Sequence, residues 1–250
     1  MANLEEKKGK EDKISKSKDK GGVEPQENLI VRAQQFIYEN SKVISYSLLG
    51  LIVLVTLGFF LKGYLDDKSA EDREKAMVAL TRILPYYDAP DYKKALFGDS
   101  SAQVRGERVI GLMEIVEKYE GTDQGKLAAL YAGSSYLALS KAEEAIEYFE
   151  IATGSDSKVV LTGAYAGLGA SYELLKKFDK SADYYSQAAE LAVSDGTKTR
   201  YNYYAARAYE QKGEKETAAK IYKEIIAKDK LSEFSNYAKV GLVRLGIKID

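Results

Sequence analysis

The sequence has no histidine, no cysteine and no tryptophan among its 250 residues. Without histidine and cysteine, the chain cannot form imidazole acid–base pairs, Ser-His-Asp or Cys-His nucleophiles, or zinc sites built from thiolate and imidazole ligands. Disulfide bonds are excluded as well. Any catalysis would therefore need carboxylate, lysine, tyrosine or serine side chains.

No pattern of those remaining side chains indicates an active site. Acidic neighbours such as Glu143 and Glu144 point about 100° apart on a helix, which is typical of a solvated surface. The GLGA segment at 167–170 lacks the following Lys-Ser/Thr of a phosphate-binding loop. We therefore predict that the protein is not an enzyme and has no catalytic residue, no cofactor and no metal site.

The charges are nearly balanced, with 37 Lys+Arg against 38 Asp+Glu. Residues 1–42 carry nine basic and eight acidic side chains, which leaves 28 and 30 for the chain beyond residue 61. Because that part of the chain has no basic excess, we predict no nucleic-acid partner.

A run of nineteen residues, VISYSLLGLIVLVTLGFFL at 43–61, carries no charge and lies between Lys42 and Lys62. As a helix it would span about 28 Å, close to the hydrocarbon thickness of a bilayer. A signal peptide would have a shorter apolar region nearer Met1 and a small-residue cleavage site after it, whereas LKGYLDDK follows here. A buried helix of a soluble domain would show an amphipathic period. We predict a single transmembrane helix over 43–61.

Two segments precede this run. Residues 1–26 interleave lysines with acidic residues and glycines, and their lack of apolar side chains predicts a disordered tail. Residues 27–42 predict an amphipathic helix that lies on the membrane surface, with contact to a membrane partner as the alternative. Its apolar face would consist of Leu29, Ile30, Ala33, Phe36 and Ile37.

The charges beside the span do not by themselves orient it. Arg32 and Lys42 precede the span, whereas Lys62, Lys68, Arg73 and Lys75 follow it. The nine basic residues of the short leading segment, and the translocation of long domains regardless of their charge, outweigh that count. We therefore predict a cytoplasmic N-terminus and a C-terminal domain on the opposite side of the membrane.

Residues 62–125 are expected to hold a stalk helix and a degenerate leading repeat. The apolar stripe of the stalk should continue to Pro85, which should end the helix. A loop around a short helix is then expected up to Gly106, followed by a helix over Glu107–Tyr119.

From residue 126 onward the sequence repeats itself. Tyr136, Tyr172 and Tyr209 are 36 and 37 residues apart, and each follows a small residue three positions earlier. Each tyrosine is followed at offsets of 9, 13 and 16 by a small, an aromatic and a small or apolar residue. The matching triplets are Ala145, Phe149 and Ala152, then Ser181, Tyr185 and Ala188, and then Ala218, Tyr222 and Ile225. A small residue lets paired helices approach closely while the aromatic residue wedges between neighbours.

This spacing resembles the tetratricopeptide repeat over residues 126–250, where Glu233–Leu245 would form a closing helix. The fold class is therefore predicted as all-α, with one transmembrane helix followed by a solenoid of helical hairpins. The layout of tail, amphipathic lead-in, anchor, KKALFGD segment and repeats also resembles the YfgM family, the ancillary subunits of the bacterial Sec translocon. That resemblance implies a single-pass inner-membrane protein whose repeats face the periplasm and contact the translocon and periplasmic chaperones.

In such a solenoid the first helix of each unit lines a concave groove that binds other polypeptides. This groove is apolar at one end and carries two arginines at the other, which favours a segment with an apolar face and an acidic end. Coverage of the apolar end by the protein's own stalk or leading helices is the alternative. The predicted groove residues are Leu127, Leu130, Ser134, Leu137, Ala166, Ala170, Glu173, Arg200, Tyr203, Arg207 and Glu210.

These features predict a non-enzymatic, membrane-tethered scaffold that assists protein export or the folding of exported chains. The alternative function is a coordinator of envelope structure or cell division whose repeats form oligomers.

Overall fold

The computed structural model describes residues 25–228 and 231–248. Helices hold 80% of the described residues and strands 5%, so the all-α prediction needs correction for one small β-hairpin. The predicted disordered tail, 1–26, lies outside the described residues except for its last two positions. The chain divides into two compact units, with the boundary after Leu65.

The first unit contains helix α1, Pro25–Glu39, and the beginning of helix α2, Ser41–Asp88. Helix α1 begins two residues before the predicted segment 27–42 and ends three residues before the end of that segment. Asn40 lies between the two helices and keeps the hydrogen-bond ladder running, because its N–H donates to the Phe36 carbonyl at 3.0 Å. The apolar side chains of α1, Phe36 among them, are exposed.

Among the described helices, α2 is the one that is long and apolar enough to cross a membrane. Its most apolar stretch has no side chain buried within the protein. The Thr56 hydroxyl within this stretch donates to the carbonyls of Ile52 at 2.8 Å and Val53 at 3.0 Å. Its polar group is thus satisfied inside the helix, as an apolar surrounding requires.

The prediction that Pro85 ends the stalk helix is wrong, since α2 continues to Asp88. Pro85 lies in the last turn of α2, where its missing N–H donor costs the helix one hydrogen bond. Its carbonyl still accepts from the Ala89 N–H at 3.0 Å. Burial of Leu80 and Ile83 in the second unit stabilises this end of the helix.

The second correction concerns residues 98–110, which form an antiparallel hairpin of strands β1, Gly98–Val104, and β2, Glu107–Ile110. Its turn residues Arg105 and Gly106 both have positive φ, 55° and 82°, as a tight hairpin turn requires. Arginine is an unusual residue for that conformation, so the sequence carried no strong turn signal. The hairpin follows helix α3, Tyr92–Phe97, and precedes helix α4, Leu112–Tyr119.

Asp99 joins the hairpin to the two helices before it. Its carboxylate accepts from the Tyr86 hydroxyl at 3.0 Å, from Lys94 Nζ at 2.9 Å and from the Ser101 hydroxyl at 2.6 Å. The hydrogen bonds from Ser101 and Lys94 hold the pKa of Asp99 well below its usual range. One carboxylate therefore ties together the end of α2, α3 and β1.

The rest of the described chain is helical, and each helix from α4 onward packs on the next one along the chain. Loops of a few residues connect these helices, which favours antiparallel neighbours. Their bounds are α5 Asp123–Ala138, α6 Ala142–Ala152, α7 Lys158–Leu174, α8 Phe178–Leu191, α9 Asp195–Lys212, α10 Lys215–Lys228 and α11 Glu233–Arg244.

The aromatic residue of each repeat lies where the helix opposite carries a small residue. A Cβ atom added to Gly133 would lie 2.8 Å from the Phe149 ring, and one added to Gly169 would lie 2.8 Å from the Tyr185 ring. Such distances are shorter than van der Waals contact, so glycine is needed for this helix separation. The close approach predicted from the sequence is thus present in α5–α6 and α7–α8.

The same aromatic side chains also contact the following helix. A Cβ on Gly167 of α7 would overlap the Phe149 ring, and one on Gly241 of α11 would lie 2.6 Å from the Tyr222 ring. Phe149 is therefore enclosed between α5 and α7. Its exposed fraction is 1%, and that of Tyr222 is 0%.

The buried apolar residues of the second unit form two clusters. One extends from Ala79 to Tyr172 and the other from Ala206 to Leu242. Tyr185 and Tyr204 lie on the helices that connect them, with ring centroids 5.3 Å apart. The packing is thus continuous along the chain through local contacts between neighbouring helices.

We predict that Gly167→Ala lowers the free energy of unfolding by about 1–3 kcal/mol, because the enclosed Phe149 ring cannot move away from the added methyl group. Urea denaturation of the full chain measures this loss. Gly196→Ala is the control, since no atom lies within 4 Å of the added Cβ in the first turn of α9. Equal stability of the two variants would contradict the enclosed ring.

Candidate binding groove

The predicted groove residues lie on α5, α7 and α9, at spacings of three or four positions. Residues at these spacings share one face of a helix. Most of them are half-buried, whereas Arg200 is exposed. This intermediate burial is typical of side chains that line a groove rather than fill a core.

Side-chain caps determine where two of these helices begin. The Thr122 hydroxyl accepts from the Gly125 N–H at 3.0 Å before α5, and the Ser194 hydroxyl accepts from the Thr197 N–H at 3.2 Å before α9. Such caps satisfy N–H groups that the first helical turn leaves unpaired. Gly213, with φ of 95°, ends α9 in the left-handed conformation.

One pocket brings together five of the predicted residues and has a volume of about 620 Å³. We call it the apolar pocket. The Ser134 hydroxyl donates to the Leu130 carbonyl at 2.9 Å, so this hydroxyl is paired within its own helix. The predicted residues that line the apolar pocket are Leu127, Leu130, Ser134, Leu137 and Ala166.

The stalk helix contributes one wall of the apolar pocket. Tyr87, from the last turn of α2, packs edge-on against Tyr131 with ring centroids 4.9 Å apart. Burial raises the pKa of the Tyr87 hydroxyl. The stalk helix therefore covers part of the apolar end of the groove. Tyr87 narrows the apolar pocket, and a volume of about 620 Å³ stays open.

A second pocket, of about 650 Å³, brings together Leu137, Ala170, Glu173 and Arg207. Here Glu173 and Arg207 pair with each other, whereas Lys176, which also lines the pocket, is exposed. Arg207 Nη2 lies 3.3 Å from Glu173 Oε1, and the Tyr185 hydroxyl donates to Glu173 Oε2 at 3.1 Å. Burial and the Glu173 carboxylate both raise the pKa of Tyr185.

Glu210 has the same arrangement one repeat later. It accepts from Arg244 Nε and Nη2, both at 2.9 Å, and from the Tyr222 hydroxyl at 2.8 Å. These hydrogen bonds, first the one from Arg244, lower the pKa of Glu210. We call each Tyr–Glu–Arg set a Tyr–Glu–Arg bridge, because it joins two first helices of neighbouring units and one second helix.

The first unit has apolar residues in place of the Tyr–Glu–Arg bridge. Phe149 stands at the tyrosine position, Leu137 at the glutamate position and Ala170 at the arginine position. This substitution explains why the apolar pocket lies at that end of the array. In the later units, the ion pair with Glu173 gives Arg207 an acidic partner inside the protein. One reason for expecting an acidic end in the bound segment is therefore removed.

Arg200 and Tyr203 lie outside both pockets. The Arg200 guanidinium is 5.9 Å from the centroid of the Phe234 ring. Tyr203 is 5.7 Å from Phe234 and 5.6 Å from Tyr237, ring centroid to centroid. The predicted groove thus continues onto α11 as an aromatic surface.

Sequence reasoning missed several lining residues. Tyr87, Tyr131 and Tyr201 line the apolar pocket, and Tyr87 comes from outside the repeats. Arg244 had a detectable signal, because it follows Arg207 by 37 residues, the same distance that separates Glu210 from Glu173.

Comparisons with known proteins add no relative: no protein-family model and no curated protein matches this chain. Function is therefore inferred from the groove itself.

We predict that Glu173→Leu lowers the free energy of unfolding by about 1–3 kcal/mol, because it leaves the buried Tyr185 hydroxyl without an acceptor. Adding Tyr185→Phe should recover at least half of that loss, since the pair then matches Phe149 and Leu137 of the first unit. Urea denaturation of the single and double variants measures the coupling. If the losses of unfolding free energy in the two single variants simply add in the double variant, the proposed Tyr–Glu–Arg bridge is contradicted.

Proposed function

We propose that the protein is a non-enzymatic, membrane-anchored scaffold that binds other polypeptides in the groove of a tetratricopeptide-type helical array. The apolar pocket between α5 and α7 is the observation that carries this proposal. Half-buried leucines surround a volume of about 620 Å³ there, within the range of pockets that bind apolar groups. Two or three large apolar side chains of a bound segment would fill it.

The charged residues of the groove support a binding role rather than a chemical one. Glu173, Arg207 and Glu210 each hydrogen-bond or ion-pair with other groups of the same chain. A general acid or base must reach the proton it transfers, whereas these carboxylates hold neighbouring helices together. The groove therefore offers shape and apolar surface.

The anchor supports tethered action. In this proposal the apolar run of α2 at 43–61 spans the membrane, the N-terminus is cytoplasmic and the helical array faces the periplasm of a bacterial cell. Tethering raises the effective concentration of a weak groove near its partner, so modest affinity suffices. Segments that leave a membrane channel before folding expose apolar side chains of the kind that the pocket accommodates.

The partners proposed on this basis are exported polypeptides, together with the Sec translocon or periplasmic chaperones. The support for the translocon is the resemblance in layout to the YfgM family: charged leading segment, amphipathic helix, anchor and repeats. The apolar pocket supports the client class independently, because it needs an exposed apolar segment as its occupant.

Photocross-linking in living cells tests the groove directly. A benzophenone amino acid at Leu130 of the full chain should cross-link to other polypeptides, because this side chain lines the apolar pocket. The same probe at Gln187, an exposed position of α8, is the matched control. Adding Leu127→Asp should reduce the Leu130 products at least about fivefold by placing a charge in the pocket.

The products also separate the two candidate functions. Adducts with exported chains or translocon components support the scaffold. Adducts confined to copies of the same chain would favour the coordinator of envelope structure or cell division. Equal adduct levels from positions 130 and 187 would exclude the groove as the binding site.

The proposed topology predicts the labelling of introduced cysteines, and the natural chain gives no background because it has no cysteine. A membrane-impermeant maleimide should label the Gln187→Cys variant in intact spheroplasts. It should label the Ser15→Cys variant only after the spheroplasts are lysed. The reverse pattern would place the helical array in the cytoplasm.

A further inference from the structure

A third pocket, which shares no lining residue with the groove, lies between α3, α4 and α6 and has a volume of about 620 Å³. Its apolar surface includes the Phe97 side chain, which is 64% exposed at the end of α3. Apolar surface that is rimmed by polar residues is typical of interaction sites. The other apolar lining residues are Leu96, Met113, Val116, Tyr148 and Ile151.

The walls of this pocket are held in place from below by Tyr136 of α5. Its hydroxyl donates to Met113 Sδ at 3.1 Å, and its ring stacks on Tyr148 with centroids 5.4 Å apart. Met113 belongs to α4 and Tyr148 to α6, so one buried tyrosine sets the distance between the two walls. The pocket is therefore preformed rather than dependent on a moving loop.

Carboxylates surround the apolar surface. Glu117 of α4, Glu120 directly after α4 and Glu147 of α6 are exposed and have no ion pair among the described residues. Glu114 differs, because it pairs with Arg108 at 2.6 Å and Lys118 at 2.8 Å. The carboxylates converge on one place: besides burial, the charges of Glu147 and Glu117 contribute to the raised pKa of Tyr148.

We propose that this acidic pocket is a second docking surface, which binds a basic polypeptide segment with apolar side chains. The apolar side chains would contact Phe97 and Ile151, while flanking lysines or arginines would pair with Glu117, Glu120 and Glu147. Four glutamates and one lysine line the pocket, so its charge complements a basic occupant. The groove has no such excess, because Glu173 pairs with Arg207 and Glu210 pairs with Arg244, while Arg200 adds a basic side chain.

The two surfaces thus differ in their occupants. The groove takes apolar segments, whereas the acidic pocket takes segments in which basic and apolar residues alternate. A single chain then holds two kinds of partner at once, on surfaces that have no side chain in common.

Peptide binding to the full chain in neutral-lipid nanodiscs tests this proposal, with empty nanodiscs as the background. The probes are three fluorescent peptides of equal length, one of leucine and lysine, one of leucine and glutamate, and one of serine and lysine. The leucine–lysine peptide should bind at least about tenfold more tightly than the other two, because it alone supplies both features. Because the groove also takes apolar segments, the deciding comparison uses the Leu127→Asp variant, and equal binding of the leucine–glutamate peptide to that variant would overturn the proposal.

Variants assign the binding to this pocket. Glu117→Gln with Glu147→Gln should weaken leucine–lysine binding about tenfold and reduce its salt dependence, since two exposed ion pairs are lost. Phe97→Ser should weaken it to a similar extent, with helicity by circular dichroism unchanged. The matched control is Glu143→Gln with Glu190→Gln, exposed glutamates outside the pocket.

Leu127→Asp separates this site from the groove, because it should leave leucine–lysine binding unchanged. Loss of binding in that variant, or unchanged binding in the Glu117→Gln and Glu147→Gln variant, would overturn the acidic pocket without affecting the groove proposal.

Discussion

Close contact between an aromatic ring and a residue without a large side chain is the interaction on which the rest of the second unit depends. Phe149 is enclosed by glycines of two helices, Gly133 and Gly167, and Tyr222 lies against Gly241. Each ring therefore sets the separation of its own helix pair and of the next pair. Since protein interiors are close-packed and incompressible, a change at one such contact displaces every helix that follows it.

The Tyr–Glu–Arg bridges join neighbouring helices at the separation that these rings establish. Tyr185 and Tyr222 bring a hydroxyl to the groove side, where Glu173 and Glu210 accept it and then pair with an arginine of the following unit. The first unit has Phe149 at the corresponding position and opens into the apolar pocket instead. Three changes of residue type, at the tyrosine, glutamate and arginine positions, thus convert a polar joint between helices into a surface suited to apolar side chains.

The two proposed surfaces and the proposed membrane anchor at 43–61 use different physical properties of the same chain. The groove depends on apolar volume, the acidic pocket depends on unpaired carboxylates around an exposed Phe97, and the anchor depends on the length of an uncharged run. These properties are independent, which is why the surfaces can be tested separately. The two pockets also lie close in sequence, since α5 lines the groove and its Tyr136 supports the acidic pocket.

The sequence by itself determined the helices of the repeats, their spacing and the apolar run at 43–61, because these follow from local periodicity and composition. The α5 residues that it named as groove residues line one pocket. Only the tertiary structure decided the hairpin at 98–110, whose turn uses Arg105, and the continuation of α2 past Pro85. It also decided that Tyr87 narrows the pocket and that Arg207 is paired. The hairpin was not predicted because its turn places an arginine in a conformation that this residue type rarely adopts. The other features arise from contacts between residues far apart in the chain, which no local pattern records.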